Sequence, residues 1–502
     1  MRNTLGIGLL AAALMLSVAP AVQANPTLRA VGDWSMAPQS RDANGNGFID
    51  GDGGVPDARP QGSEPSRTFV GAGNRVAQPF ERLIDGKQSW YLSPNGFTVH
   101  LNACKSSGAQ YRWRILQGNQ QVRQLPWRKL TSSGCKRNVQ LREGDYRFVL
   151  EVRRGSGRSD QQTLQANVKN YIFVVMGDSY ASGEGNPRNV QAWIDNPDRP
   201  FAPYYDDPAC NRSTRSGPAQ AALALEKSSN KSSVTFIDVS CTGATIDNGV
   251  LGPQRSTGQT TSQIQQVREL IGNREIDILV MSVGGNDVGF TSIIGTCALS
   301  LDCPLVTAST PPLSRFASVQ QGVQTLTARL PDGYERIARC FTGNTCQLAN
   351  GSSTQSLTLA SNARVMPMTY PDITRSAIGE PCRYLTLSRA DFAWARETIL
   401  VPQAPNPYRF VTFGGATRDL STAAGTLNGQ ILNTTRLGWQ PVAGIWGASG
   451  DSMTGHGVCA GASSWFFGIT TIGGPFATAA FHPNPLGQRS IGRQIAQALG
   501  VG

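Results

Sequence analysis

The chain has 502 residues, 39% of them hydrophobic, and a formal net charge of +11. It is longer than one typical domain and apolar enough to build at least one full core, so two or three modules are expected. The 45 Lys and Arg are dispersed, with no basic run and no aromatic-basic interleaving. A solvated surface is therefore expected rather than a nucleic-acid partner, and anionic envelopes or lipid surfaces would attract it.

At the N-terminus, Arg2 precedes an apolar run from Leu5 to Pro20 and then Val22-Gln-Ala24. Small residues at the first and third positions before a cut suit signal peptidase, so residues 1–24 are expected to be a signal peptide cleaved after Ala24, leaving a secreted or periplasmic chain. No later stretch reaches the length of a transmembrane helix, so the mature chain is expected to lack one. Ten cysteines in an exported chain argue for five disulfides. C-x-x-C is absent and only His100, His456 and His482 are present, which disfavours a zinc cluster. Proximity pairs Cys297 with Cys303 and Cys340 with Cys346, and domain logic pairs Cys104 with Cys135; Cys210–Cys241 and Cys382–Cys459 remain.

Residues 25–65 are rich in Gly, Asp, Asn and Pro and read as loop. Within them Asp42, Asn44, Asn46 and Asp50 are spaced like a calcium loop, with a turn-making Gly47, but Gly53 stands where an EF-hand places its bidentate Glu. The segment reads either as an irregular structural calcium site or as an ordinary Asn/Gly turn. Over 66–168, short alternating runs at Phe97–Leu101, Tyr111–Ile115 and Tyr146–Val152 predict a small all-β module, an immunoglobulin-like sandwich with Trp113 between Cys104 and Cys135.

After Asn170 the pattern changes. Continuous apolar runs at Tyr171–Met176, Val234–Val239, Ile276–Val283 and Val365–Met368 predict parallel strands buried on both faces. Phe316, Val319, Val323, Leu326 and Leu330 predict one intervening helix, and Ile491, Ile495 and Leu499 a terminal one. The alternation implies a doubly wound α/β domain over 169–502, with ligands at the carboxyl ends of its strands.

Ser179 follows the first of these strands by two residues and is followed by Gly183 and Gly185, a turn able to present its Oγ and free its N–H toward a developing oxyanion. A second strand ends in Gly284-Gly-Asn286-Asp287, bringing a neutral amide donor to the same edge. A serine nucleophile needs a base. His100 lies in the β module and His456 in a Gly-rich loop beside Cys459, both read as structural, which leaves His482.

Gly177-Asp-Ser-Tyr-Ala-Ser-Gly-Glu-Gly185, Gly243, Gly284-Gly-Asn286 and His482-Pro-Asn-Pro-Leu-Gly487 occur in the order of the blocks of SGNH, or GDSL, hydrolases. The chain from about residue 170 onward resembles that family, and most of all its secreted, disulfide-containing branch of lipases, phospholipases and esterases, given Cys241-Thr-Gly243 and Gly455-His-Gly-Val-Cys459. The resemblance implies a flavodoxin-like SGNH fold, Ser179 as nucleophile, His482 as base, and an oxyanion hole from the Ser179 and Gly243 N–H groups with the Asn286 side chain. It needs no cofactor. The family's usual Asp three residues before the base is Ala479 here. Some members of the branch use a main-chain carbonyl instead, which would be that of Ala480; the rival is Asp451 as a third member. Asp178 and Asp287 read as loop braces.

The expected activity is that of a carboxylic ester hydrolase working through an acyl-enzyme on an acyl lipid or fatty-acid ester, at an envelope or insoluble surface. A carbohydrate or cell-wall O-acetylesterase is the alternative. A calcium-linked binding protein with a silent hydrolase fold is the alternative of another class.

Overall fold

The computed structural model describes residues 27–40, 42, 45–49, 95–155, 157–190, 194, 203–300, 302–383, 387–402, 425–446, 453–468 and 479–502, with the backbone of the short strands at 83–84, 87–88, 410–413 and 416–419. The expected signal peptide, Asn44, Asp50 and Asp451 lie outside the described residues. The chain divides into two compact units. One comprises Met1–Asp33, Leu101–Arg137 and Tyr146–Gln165; the other comprises Trp34–His100, Asn138–Asp145 and Ala166–Gly502.

In the smaller unit the strand Gln110–Gln117 pairs antiparallel with Gly144–Arg154, Gln120–Gln124 and Arg128–Lys129. Its period-2 pattern buries Tyr111, Trp113 and Ile115 on one face, opposite Phe148, Leu150 and Val152 of the neighbouring strand, and turns Arg112 and Arg114 to the other. The Tyr111 hydroxyl donates to the Gly134 carbonyl at 2.6 Å, beside the Cys104–Cys135 disulfide.

The larger unit is built on four parallel strands in the order Ser232–Asp238, Arg158–Gly177, Ile276–Ser282 and Leu359–Pro367. All seven residues of Ile276–Ser282 are buried, which is why its sequence runs apolar without alternation. Parallel neighbours need crossovers, supplied by the helices Gly217–Ser228, Gln263–Ile271, Val319–Thr327 and Leu330–Thr342. The single helix expected across Phe316–Leu330 is therefore two, and its start is later. Phe316 follows a 3-10 turn, the first helix ends at Thr327, and Pro331 opens the next, where a missing N–H is tolerated. The terminal helix Pro485–Leu499 lies against Gly217–Ser228 so closely that a Cβ on Gly217 would fall 2.4 Å from Ile491 Cγ2. The register aligns Gly177 with Ser282 and Val175 with Asp238, so the loops that follow these three strands leave from one edge of the sheet.

Candidate active site

The first strand ends in a turn that only glycine fits. Gly177 has φ +111, and a Cβ there would lie 1.8 Å from the Ser282 carbonyl oxygen. Buried Gln263 holds both sides of this peptide, accepting from Gly177 N at 2.6 Å and donating to Gly177 O at 2.9 Å. Asp178 then caps the short helix Ser179–Ser182, accepting from Tyr180 N at 3.1 Å. Ser179 opens this helix, so its N–H stands ahead of the intrahelical ladder. The Asp178 carboxyl also accepts from Ser282 Oγ at 2.7 Å and from the Tyr370 hydroxyl. Burial pushes Asp178 up to about 6, against the downward pull of those hydrogen bonds. It is a brace under the turn, as its sequence position suggests.

Against Ser179 stands His482, with Nε2 2.8 Å from Oγ. On its far side Nδ1 is 3.1 Å from the Ala480 carbonyl. A carbonyl only accepts, so Nδ1 carries the hydrogen and Nε2 presents its lone pair to the serine hydroxyl. The approach requires an unusual backbone: Phe481, a buried non-glycine, has φ +64. Its conformation is held by Phe481 N donating to Phe467 O at 2.7 Å and by the Tyr180 hydroxyl donating to Phe481 O at 2.9 Å. Downstream, Asn484 caps the terminal helix from Leu486 N and Gly487 N, with Pro485 at its first turn, which explains the spacing of His482-Pro-Asn-Pro-Leu-Gly487.

The second and third strands bring two more loops. Gly243 has φ +73 and follows Cys241, which is bonded to Cys210, while Thr242 N donates to Cys210 O at 3.1 Å and Thr242 O accepts from Gln254 Nε2 at 2.6 Å. Asn286 Nδ2 donates one hydrogen to Ala244 O at 3.1 Å, which keeps its amide beside the Gly243 loop with a second hydrogen to give. Asp287 Oδ1 accepts from Ile246 N at 3.0 Å and so ties the same two loops together. Burial pushes its carboxyl up to about 7.

One acidic residue of the site carried no role in the sequence reading. Glu184 is buried, and its Oε2 lies 3.7 Å from His482 Nε2 while accepting from Thr242 Oγ1 at 2.6 Å. Its N–H donates to Ser179 O at 3.2 Å. The residue sits inside the Ser179 block, but its reach toward the base depends on left-handed glycines on either side. A Cβ on Gly185, at φ +90, would fall 2.4 Å from Pro483 O. Tyr180, Thr242 and Tyr370 are likewise parts of the site that residue type and spacing did not single out.

The other candidates lie elsewhere or are otherwise occupied. His100 Nδ1 is 2.8 Å from Asn138 Oδ1, and His456 stacks on Trp465 with 3.7 Å between ring centroids, its Nδ1 2.7 Å from Ser463 O. Asp42 Oδ2 accepts from Gly47 N at 3.1 Å and from Lys227 Nζ at 2.5 Å, and Asn46 Oδ1 from Phe48 N at 3.0 Å, an Asx-type turn. Among the described residues no cluster of three or more His, Cys, Asp or Glu is placed to hold a metal ion. Cys297–Cys303, Cys340–Cys346 and Cys382–Cys459 are bonded in addition to the two pairs above.

A hydroxyl in hydrogen-bond contact with an imidazole, itself oriented through its other nitrogen, is an arrangement that suits a serine nucleophile and a base. The sequence matches no protein-family model and no curated protein. Among solved structures it is similar to an extracellular lipase from Streptomyces rimosus, at 19% identity and a TM-score of 0.37, over 66% of this chain and 98% of that one.

Proposed function

We propose that this chain is a secreted serine ester hydrolase that cleaves carboxylic esters with an apolar acyl chain, on a doubly wound, flavodoxin-like α/β domain accompanied by an immunoglobulin-like accessory module. The observation that carries the reading is the 2.8 Å contact between Ser179 Oγ and His482 Nε2 at the carboxyl edge of a parallel sheet. His482 Nε2 takes the hydroxyl proton as Oγ bonds to the ester carbonyl carbon, and the carbonyl oxygen becomes an oxyanion. Its donors are the Ser179 and Gly243 N–H groups and the Asn286 amide. The imidazolium then gives its proton to the departing alcohol oxygen as the C–O bond breaks. Water, deprotonated by the same Nε2, releases the acid from the acyl-enzyme. The Ala480 carbonyl, not a carboxylate, orients the ring throughout.

The acyl preference rests on a pocket beside the base. Phe290, Ile293, Ile294, Ile399, Leu400 and Phe481 contribute to its almost wholly apolar lining. Phe481 precedes His482, and the Phe290 ring stands edge-on to the imidazole with 6.5 Å between centroids. An acetyl group would leave this apolar surface uncovered, whereas a longer acyl chain removes it from water. Two experiments test the reading. A fluorophosphonate probe is expected to label wild type and not Ser179→Ala; persistent labelling of the variant would sink the nucleophile assignment. An ester panel from acetyl to palmitoyl, with acetylated polysaccharide, is expected to favour chains longer than acetyl, and the reverse order would favour the O-acetylesterase.

A further inference from the structure

The charge of this protein is not spread over it. Leaving aside Arg2 in the expected signal peptide, the smaller unit, which includes Leu101–Arg137 and Tyr146–Gln165, holds 13 Lys and Arg against three Asp and Glu, so the whole excess of positive charge falls within it. The remainder balances, 31 against 31. The three segments are far apart in sequence and close in the fold, which is why the charges read as dispersed along the chain.

On the face of the antiparallel sheet opposite Trp113, the strand Gln110–Gln117 turns out Arg112 and Arg114, and the strand Gly144–Arg154 turns out Arg147, Glu151 and Arg153. Glu151 is shared by Arg112 Nε at 2.6 Å and Arg114 Nε at 2.5 Å. Trp127 is held between two guanidinium groups, Arg112 at 4.6 Å and Arg153 at 4.1 Å from its ring centroid. On the adjoining strand Lys129, paired with Gln110, is exposed on this same face, whereas Arg123 and Arg128 pair with Ile115 and Tyr111 and so project from the Trp113 side of the sheet. Cations this dense lie within a Debye length of one another, roughly 8 Å in physiological salt, and their repulsion is relieved by an anionic partner. Ten of the 13 are Arg, the side chain whose fork matches phosphate oxygens in pairs.

We infer that this face docks the protein on a membrane surface rich in anionic phospholipid, through guanidinium contacts to head-group phosphates. Neighbouring strands about 4.8 Å apart present these cations together on one face, suited to a surface of head groups. On the same sheet Val122, 46% exposed, offers an apolar contact beside them. A soluble polyanion is the competing occupant that the test separates. The inference stands independently of the ester chemistry, because no residue of the Ser179 site takes part.

The test uses full-length protein sedimented with vesicles of phosphatidylcholine alone or mixed equally with phosphatidylglycerol, and in parallel titrated with inorganic polyphosphate. Binding to the mixed vesicles only, weakened by added salt, is expected. Each surface cation contributes roughly a fivefold change in partition, so the triple variant Lys129→Gln, Arg147→Gln, Arg153→Gln, all on the proposed face, is expected to bind about 100-fold more weakly. Its unchanged circular dichroism and unchanged turnover of a soluble short-chain ester report an intact fold. Equal partition to both vesicle types, a triple variant that binds like wild type, or tight polyphosphate binding without vesicle binding would each overturn the proposal.

Discussion

Glu184→Gln tests how the proposed mechanism stabilises charge. When His482 takes the Ser179 proton, a positive ring forms with its Nε2 3.7 Å from Glu184 Oε2. With an effective dielectric constant of about 20, two unit charges at that separation attract by about 4 kcal/mol, an upper bound because the amide of Gln retains a dipole and the site relaxes. A loss of about 1.5–3 kcal/mol of transition-state stabilisation, roughly 10- to 100-fold in kcat, is expected with KM little changed. The assay is steady-state hydrolysis of a soluble short-chain aryl ester at mildly alkaline pH, with thermal unfolding as a check on folding. Thr242→Val is the control, since it removes the 2.6 Å hydrogen bond to Glu184 and keeps the charge. If Glu184 works by charge, the control loses much less than Glu184→Gln. Glu184→Gln within about twofold of wild type, or both variants losing equally, would refute the electrostatic role.

Asp451→Asn is expected to turn over within about twofold of wild type, because the Ala480 carbonyl 3.1 Å from Nδ1 already fixes the ring; a loss of several hundredfold with the fold intact would make Asp451 a third member. Asp238, fully buried, is pushed up to about 7 by desolvation, against the pull of the Arg212 charge and the Ser240 hydrogen bonds. Its folded pKa lies above the ordinary 3.8, so its contribution to stability is complete below about pH 4 and is lost as pH rises through about 7, on the order of 4 kcal/mol in all. Asp238→Asn removes that slope: thermal unfolding across this range is expected to show the variant gaining on wild type toward neutral pH, and parallel curves would contradict it.

Much of the site's framework is legible in the sequence because it depends on local rules. A strand buried on both faces reads as an unbroken apolar run, and Ser179 and Asn286 follow such runs by two and four residues, so their place at the sheet edge comes from chain connectivity. With three histidines in the chain, the proposed base follows by elimination. Glu184 was not legible in the same way. Its approach to His482 depends on positive φ at Gly183 and Gly185 and on a hydroxyl donated by Thr242, 58 residues away. The two helices Val319–Thr327 and Leu330–Thr342 read as one because apolar spacing continues from Leu326 to Leu330, across the break at Ala328-Arg329. The basic face escaped because a linear window cannot collect three separated segments.

The exchange of a carboxylate for a carbonyl at Nδ1 moves the problem of the imidazolium charge to the other side of the ring. A carbonyl fixes the tautomer but carries only a partial charge, so in the proposed mechanism a full counter-charge would come from the Nε2 side, where it would stand close to the proton passed from Ser179. The geometry suits both demands: Oγ is at 2.8 Å, and the Glu184 oxygen stands at 3.7 Å while also accepting from Thr242. Thr242 in turn precedes Gly243 and is fixed through Cys210 and Gln254. The residue that donates to the carboxyl therefore belongs to the loop proposed to receive the oxyanion. Displacing that loop would disturb base and oxyanion donors together, so substitutions on its two sides should couple rather than add.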